Sequence, residues 1–221
     1  MSDRMLPDAD GAGPAGVRLN RLLVQAGLPT LSQELSNCFE TYLGLILRWN
    51  ARINLTAIRD EAGILSRHFV ESTACAHAIP PGTGTLLDFG SGAGFPGIPI
   101  ALWRPEICVT LAESQAKKAA FLREVVRTLG LAVSVYDSRA ENLTSAFDCV
   151  VLRAVDQMEK AVSVAAGLVC PGGWLVLLTT GAESQSLQLM AGSGFAWNPP
   201  IGLPFSEDRR IEMGKRAPRN G

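Results

Sequence analysis

The chain has 221 residues, 47% of them hydrophobic, which is enough to bury one sizeable core. Its formal net charge of −1 excludes a global field drawing it to nucleic acid or an acidic membrane, so any such partner must meet a local basic face. Five widely spaced cysteines with no CxxC pair, two histidines, and apolar runs no longer than Cys149 to Leu152 or Trp174 to Leu178 argue against a disulfide framework, a metal site or a membrane span.

Residues 1–16 carry Asp3, Asp8, Asp10, Pro7 and Pro14 with no apolar block, the composition of a loose tail and not of a signal peptide. Residues 17–221 are expected to form one domain, with a helical part over 17–82 and an α/β core over 83–221. Leu35, Phe39, Tyr42, Ile46, Trp49 and Ile53 recur every three to four residues and predict a helix over 32–53. A turn leads to a second helix over 61–77, stopped by Ile79-Pro80-Pro81-Gly82.

After Gly84 short apolar runs alternate with amphipathic stretches. Strands are predicted at 85–89, 107–112, 132–136, 147–152 and 174–179, with helices from 96, over 115–129 and over 158–168. This alternation implies a mostly parallel sheet with helices on both faces. Residues 195–201 and 209–213 are expected to close it as an antiparallel end.

In such a sheet the ligand crevice lies beyond the carboxyl ends of the strands. The first strand ends in Asp88-Phe89-Gly90-Ser91-Gly92-Ala93-Gly94-Phe95-Pro96-Gly97. A dinucleotide fingerprint requires glycine where Phe95 stands, and Asp88 at the mouth of the turn would repel a pyrophosphate while attracting a sulfonium. The acid-first form with Gly90, Gly92 and Gly94 on alternate positions resembles motif I of methyltransferases that use S-adenosyl-L-methionine, converting it to S-adenosyl-L-homocysteine. Glu113 ends the second strand, placed to accept ribose hydroxyls. After the third strand, the Ala140 amide and the Glu141 carboxylate match the edge of an adenine, although a helix N-cap would look similar. Arg153, at the end of the fourth strand, suits a cofactor carboxylate or a substrate phosphate.

A second signal lies outside these motifs. Arg48-Trp49-Asn50-Ala51-Arg52-Ile53-Asn54-Leu55-Thr56-Ala57, followed by Arg67-His68-Phe69-Val70-Glu71-Ser72, resembles the glucose-inhibited division protein B family. The likeness continues through Gly92-Ala93-Gly94-Phe95-Pro96-Gly97-Ile98-Pro99, Glu113 to Arg123, Arg139-Ala140-Glu141 and Arg153-Ala154, covering residues 33–181. The resemblance implies a Rossmann-like methyltransferase fold preceded by helices, and cofactor contacts at Gly90, Phe95, Ala140, Glu141 and Arg153. It implies methylation of guanine N7 in 16S ribosomal RNA, on the small ribosomal subunit or an assembly intermediate in the cytoplasm. The chain departs from the family pattern at Glu71, where Asp is frequent, at Leu152, where Ser is frequent, and at Thr180, where a lysine precedes glycine.

Sixteen arginines against four lysines suit recognition of phosphate and guanine, a bias that codon composition also produces. Arg48, Arg67 and His68 are the candidate RNA contacts. Arg209, Arg210, Lys215, Arg216 and Arg219 are either further phosphate contacts or a solvated tail. Trp49 falls on the apolar stripe and reads as core. A small-molecule methyltransferase, and an RNA-binding module with a vestigial nucleotide pocket, remain alternatives at this level. No nucleophile or general base is singled out, and none is required, because guanine N7 carries a free lone pair.

Overall fold

The computed structural model describes residues 13–218. Most of the expected tail, and Arg219, lie outside the described residues. The chain enters through α1 (Ala15–Gln25), so helix begins before the expected boundary at residue 17. Leu19, Leu22 and Leu23 bury one face of α1, and Gly16 lies where any side chain would strike Ser36 of the next helix. That helix, α2 (Gln33–Asn50), starts at Ser32, whose hydroxyl accepts the Leu35 N–H at 3.2 Å.

The predicted helix over 61–77 is composite. Asp60 caps α3 (Glu61–Gly63), the backbone widens into a π-helical stretch over Ile64–Val70, and α4 (Glu71–Ala78) completes it. Then follow β1 (Thr85–Phe89), α5 (Gly97–Trp103), β2 (Cys108–Ala112), α6 (Ala116–Leu129) and β3 (Ser134–Tyr136). A 3-10 turn at Ala140–Asn142 leads to β4 (Phe147–Arg153), α7 (Met158–Gly167), β5 (Val169–Thr180) and α8 (Gly181–Ala191). The closing strands are β6 (Phe195–Trp197), β7 (Ile201–Gly202) and β8 (Arg209–Arg216).

The sheet runs β3-β2-β1-β4-β5-β8-β6, with β7 also on β8. Strands β1 to β5 are parallel, and β8 is antiparallel to β5, β6 and β7. The antiparallel end was expected as one pair, but β8 inserts between β5 and β6. Its Ile211 and Met213 are buried on one face, which an outermost strand would leave half exposed.

Alternation along the strands sends side chains to two cores. Leu86, Val109, Leu111 and Val151 meet the N-terminal helices with α5 and α6, while Leu87, Val150, Leu175 and Leu177 meet α7 and α8. Of the four largest fully buried side chains, Tyr42, Phe39 and Phe69 come from the N-terminal helices and Phe121 from α6. Each stabilises the fold by roughly 2–3 kcal/mol, so the N-terminal helices complete the first core and are not an appendage. All five cysteines are free; Cys75 and Cys149 are buried as expected of core thiols, whereas Cys108 is exposed at the start of β2.

Candidate functional site

A cleft of about 890 Å³ opens at the carboxyl ends of the strands, beside the point where β1 is flanked by β2 and β4 and the strand order reverses. The glycine turn forms its floor. Gly90 and Ser91 N–H both bond the Ala112 carbonyl, at 3.0 and 2.9 Å, stitching the turn to β2. The Tyr42 hydroxyl donates to the Ala93 carbonyl at 2.5 Å, so α2 fixes the turn from below. At Gly94, with φ +90°, a side chain would also lie 2.7 Å from both Tyr42 Oη and Ile98.

Of the predicted cofactor residues, Gly90, Gly92, Phe95, Glu113, Ala140, Glu141 and Arg153 line the cleft. Asp88 and Gly94 lie beneath it. The Asp88 carboxylate, 1% exposed, faces inward and accepts the Gly97 N–H at 3.0 Å. Burial pushes it up to about 7, against the opposing pull of the Gly97 amide and Ser91. Its role here is to tie the glycine turn to the start of α5.

Glu113 is 7% exposed, and its two oxygens accept the N–H groups of Gly92 at 3.0 Å and Gln115 at 2.7 Å. A carboxylate offers about four acceptor positions, so two remain for a diol. Ala140 is buried in the 3-10 turn and Glu141 is exposed beside it.

Arg153 anchors the other side. Its Nη2 donates to Glu71 at 2.8 Å and to the Arg67 carbonyl at 2.7 Å, and its Nη1 meets His68 Nδ1 at 2.8 Å. Glu71, 1% exposed, also accepts Arg209 Nε at 2.7 Å, so one buried carboxylate serves two arginines from β4 and β8. The guanidinium keeps its Nε–H and one Nη1–H for a ligand. His68 stacks on Phe95, with ring centroids 4.5 Å apart and planes at 19°. Burial, then the charges of Arg153 and Arg67, hold its imidazole well below the ordinary 6.5, so it is neutral. Its Nε2 lies 2.7 Å from the Thr56 hydroxyl.

The loop carrying Thr56 is pinned by one side chain. Buried Asn50 accepts the N–H groups of Leu55 at 2.9 Å and Thr56 at 3.2 Å, and donates to the Ile58 carbonyl at 3.3 Å. This arrangement gives the Trp49-Asn50 to Leu55-Thr56 spacing a physical role.

The candidate RNA residues separate. Arg67 and His68 line the cleft, carried by the π-helical stretch. Arg48 does not; it is ion-paired with Glu124 of α6, which also accepts Trp49 Nε1 at 2.9 Å while the indole packs edge-on against Phe121. Among the described residues, Arg209, Arg210 and Arg216 are not a solvated tail. Arg209 holds Glu71, Arg210 pairs with Asp208, and Arg216 bonds the Ala166 carbonyl at the end of α7, at 3.1 Å.

A profile described as rRNA small subunit methyltransferase G matches residues 35–190. The ribosomal RNA small subunit methyltransferase G of Xanthomonas euvesicatoria pv. vesicatoria is 40% identical over 95% of this chain and 96% of its own length. The chain belongs to this family. A further relative of the same name, from Roseiflexus sp., is 44% identical over 58% of each chain. Among solved structures, a predicted O-methyltransferase from Agrobacterium tumefaciens aligns with TM-score 0.58 at 17% identity, over 69% of this chain and 82% of its own. A methyltransferase from Pyrococcus furiosus aligns with TM-score 0.58 at 14% identity, over 82% and 99%. These likenesses place the fold among Rossmann-like methyltransferases.

Several cleft residues were not singled out as site residues from the sequence. Lys118 on α6 and Lys160 on α7 join Arg67, Arg139 and Arg153 around the cleft and give it the basic rim that the net charge does not reveal. Ala154 and Gln157 line it with left-handed backbone, φ 49° and 53°. Glu71 was legible only as a departure from the family pattern, yet it is the hub joining α4, β4 and β8. Among the described residues, no group of three or more His, Cys, Asp or Glu side chains is placed to hold a metal ion, and no helix is long and apolar enough to cross a membrane.

Proposed function

We propose that this cleft binds S-adenosylmethionine and directs methylation of N7 of a guanine in 16S ribosomal RNA, releasing S-adenosylhomocysteine. The observation that carries the reading is a juxtaposition: the strand-end residues Gly92, Glu113, Ala140 and Arg153 share one cleft with the family's Leu55-Thr56 loop and with Arg67 and His68. The cofactor supplies an electrophilic methyl on a positively charged sulfur. Glu113, oriented by two backbone amides, has free acceptor positions for the ribose diol. Ala140 N–H and Glu141 meet the adenine edge, and the two free N–H groups of Arg153 hold a carboxylate or a phosphate.

Guanine N7 attacks through an in-plane lone pair without first losing a proton. The chain's task is therefore alignment and exclusion of water, with no general base. The site agrees with this: Asp88 is turned away beneath the turn, and both nitrogens of His68 are engaged. A base within structured RNA must be unstacked to enter, and Arg67, Lys118, Arg139 and Lys160 provide the phosphate-binding rim. The substrate is the small ribosomal subunit or one of its assembly intermediates, in the cytoplasm.

Base-resolved mapping of N7-methylguanosine in small-subunit RNA from cells with and without the protein tests the reading, together with calorimetry of S-adenosylmethionine and S-adenosylhomocysteine. One guanine should lose its methyl group without the protein, and both ligands should bind. An unchanged methylation map would overturn the substrate, and RNA binding without cofactor binding would overturn the enzyme.

A further inference from the structure

Thr56 stands apart from the cofactor motifs. Its loop belongs to no strand end, but hangs between α2 and α3 and contributes to the wall of the cleft. The hydrogen bonds around it have a determined direction. A guanidinium only donates, so the 2.8 Å contact from Arg153 Nη1 makes Nδ1 of His68 an acceptor. The imidazole is neutral, and its single proton therefore sits on Nε2, which donates to Thr56 Oγ1 at 2.7 Å. The Ile58 N–H donates to the same oxygen at 3.2 Å. A hydroxyl oxygen has two lone pairs, and both are taken. Among the described residues, the proton of the Thr56 hydroxyl has no acceptor.

We infer that Thr56, locked as a donor by the Arg153–His68 pair, reads O6 of the target guanine. This rests on the guanine-N7 reading above. N7 and O6 lie on one edge of guanine, both acceptors, whereas adenine presents N7 beside an amino donor. With N7 committed to the methyl group, the neighbouring atom is what distinguishes the two purines. A hydroxyl with both lone pairs occupied cannot receive the adenine amino group, so adenine would enter with a donor unpaired. Thr56 touches the base, while His68 and Arg153 act on the base through it as positioning residues.

A substitution cycle tests this. Wild type, Thr56→Val and Thr56→Ser are assayed on reconstituted small-subunit particles in which the methylated nucleotide, located by mapping, is guanine or 2-aminopurine, which keeps N7 and lacks O6. Wild type should lose roughly tenfold to hundredfold in kcat/KM on 2-aminopurine, mostly through KM. Thr56→Val should show the same loss on guanine and little further loss on 2-aminopurine, and Thr56→Ser should recover the preference for guanine. Cofactor affinity by calorimetry should be the same in all three. Independently of turnover, 15N spectra of the imidazole should report a neutral ring with its proton on Nε2. Equal base preference in wild type and Thr56→Val, or a proton on Nδ1, overturns the inference. Weakened cofactor binding in Thr56→Val would reassign the hydroxyl to the cofactor. Wild type inactive on guanine would instead sink the reading on which the inference rests.

Discussion

Replacing Glu71 by glutamine removes a charge and almost no volume, so it isolates the electrostatic work of the buried hub. The carboxylate is 1% exposed and bonds Arg153 at 2.8 Å and Arg209 at 2.7 Å; the two arginine side chains are 14% and 28% exposed. Removing one member of a buried ion pair costs about 3–5 kcal/mol, because the partner charge stays desolvated. Two details place Glu71→Gln at the lower end, about 3 kcal/mol. The amide oxygen still accepts from one arginine, and the more exposed Arg209 is partly screened by solvent. At about 2–4 °C per kcal/mol for a chain of this size, the melting temperature should fall by about 6–12 °C. Calorimetric melting together with urea unfolding measures it, the second to establish that the m-value is unchanged. Glu71→Asp, whose shorter arm reaches only one arginine well, should fall between the two. A drop of less than about 2 °C in Glu71→Gln would refute the view that this carboxylate holds the two arginines in place.

Glu113→Ala should weaken S-adenosylmethionine and S-adenosylhomocysteine binding by at least tenfold in calorimetry, and unchanged affinity would remove Glu113 from the site. Asp88 has a folded-state pKa of about 7 against an ordinary 3.8, so its protonated form stabilises the fold. That contribution is complete below pH 3.8 and is lost as pH rises through 7, amounting to about 2–3 kcal/mol between pH 5 and 8. Melting curves across this range should flatten correspondingly in Asp88→Asn, and identical pH slopes in both proteins would count against the buried carboxyl. Arg67→Ala should reduce the salt dependence of RNA binding by about one counterion, whereas Arg48→Ala, already paired with Glu124, should leave the slope unchanged. A reversed outcome would move the RNA surface to the outer face of α2.

The inner parallel strands were readable because they are buried on both faces and carry short apolar runs, Leu86-Leu87 ahead of Asp88 in β1 and Cys149 to Leu152 in β4, whereas the short edge strand β3 is only partly covered. The glycine turn announced itself because backbone at φ near +60° to +90° leaves glycine as the ordinary choice. What stayed hidden depends on contacts between distant residues. Helix α8 buries only Leu187 and Ala191, too few for a stripe, and α1 relies on three leucines. The inward orientation of Asp88 could not be read, since a carboxylate at the mouth of a turn serves a ligand or a backbone amide equally well. The π-helical stretch likewise leaves no periodic trace, yet it is what carries Arg67 and His68 to the cleft.

The last strand sets the timing of assembly during synthesis. Arg209 meets a carboxylate 138 positions earlier in the chain, and β8 seals the edge of β5. Synthesis proceeds from the N-terminus, so the glycine turn, the helices and all five parallel strands leave the ribosome before the residue that completes the clamp on Glu71. A nascent chain stopped short of Arg209 has an unpaired sheet edge and a hub with one arginine in place of two. The cleft therefore reaches its finished electrostatic form only when the final strand docks, which links competence toward ribosomal RNA to arrival of the end of the sheet.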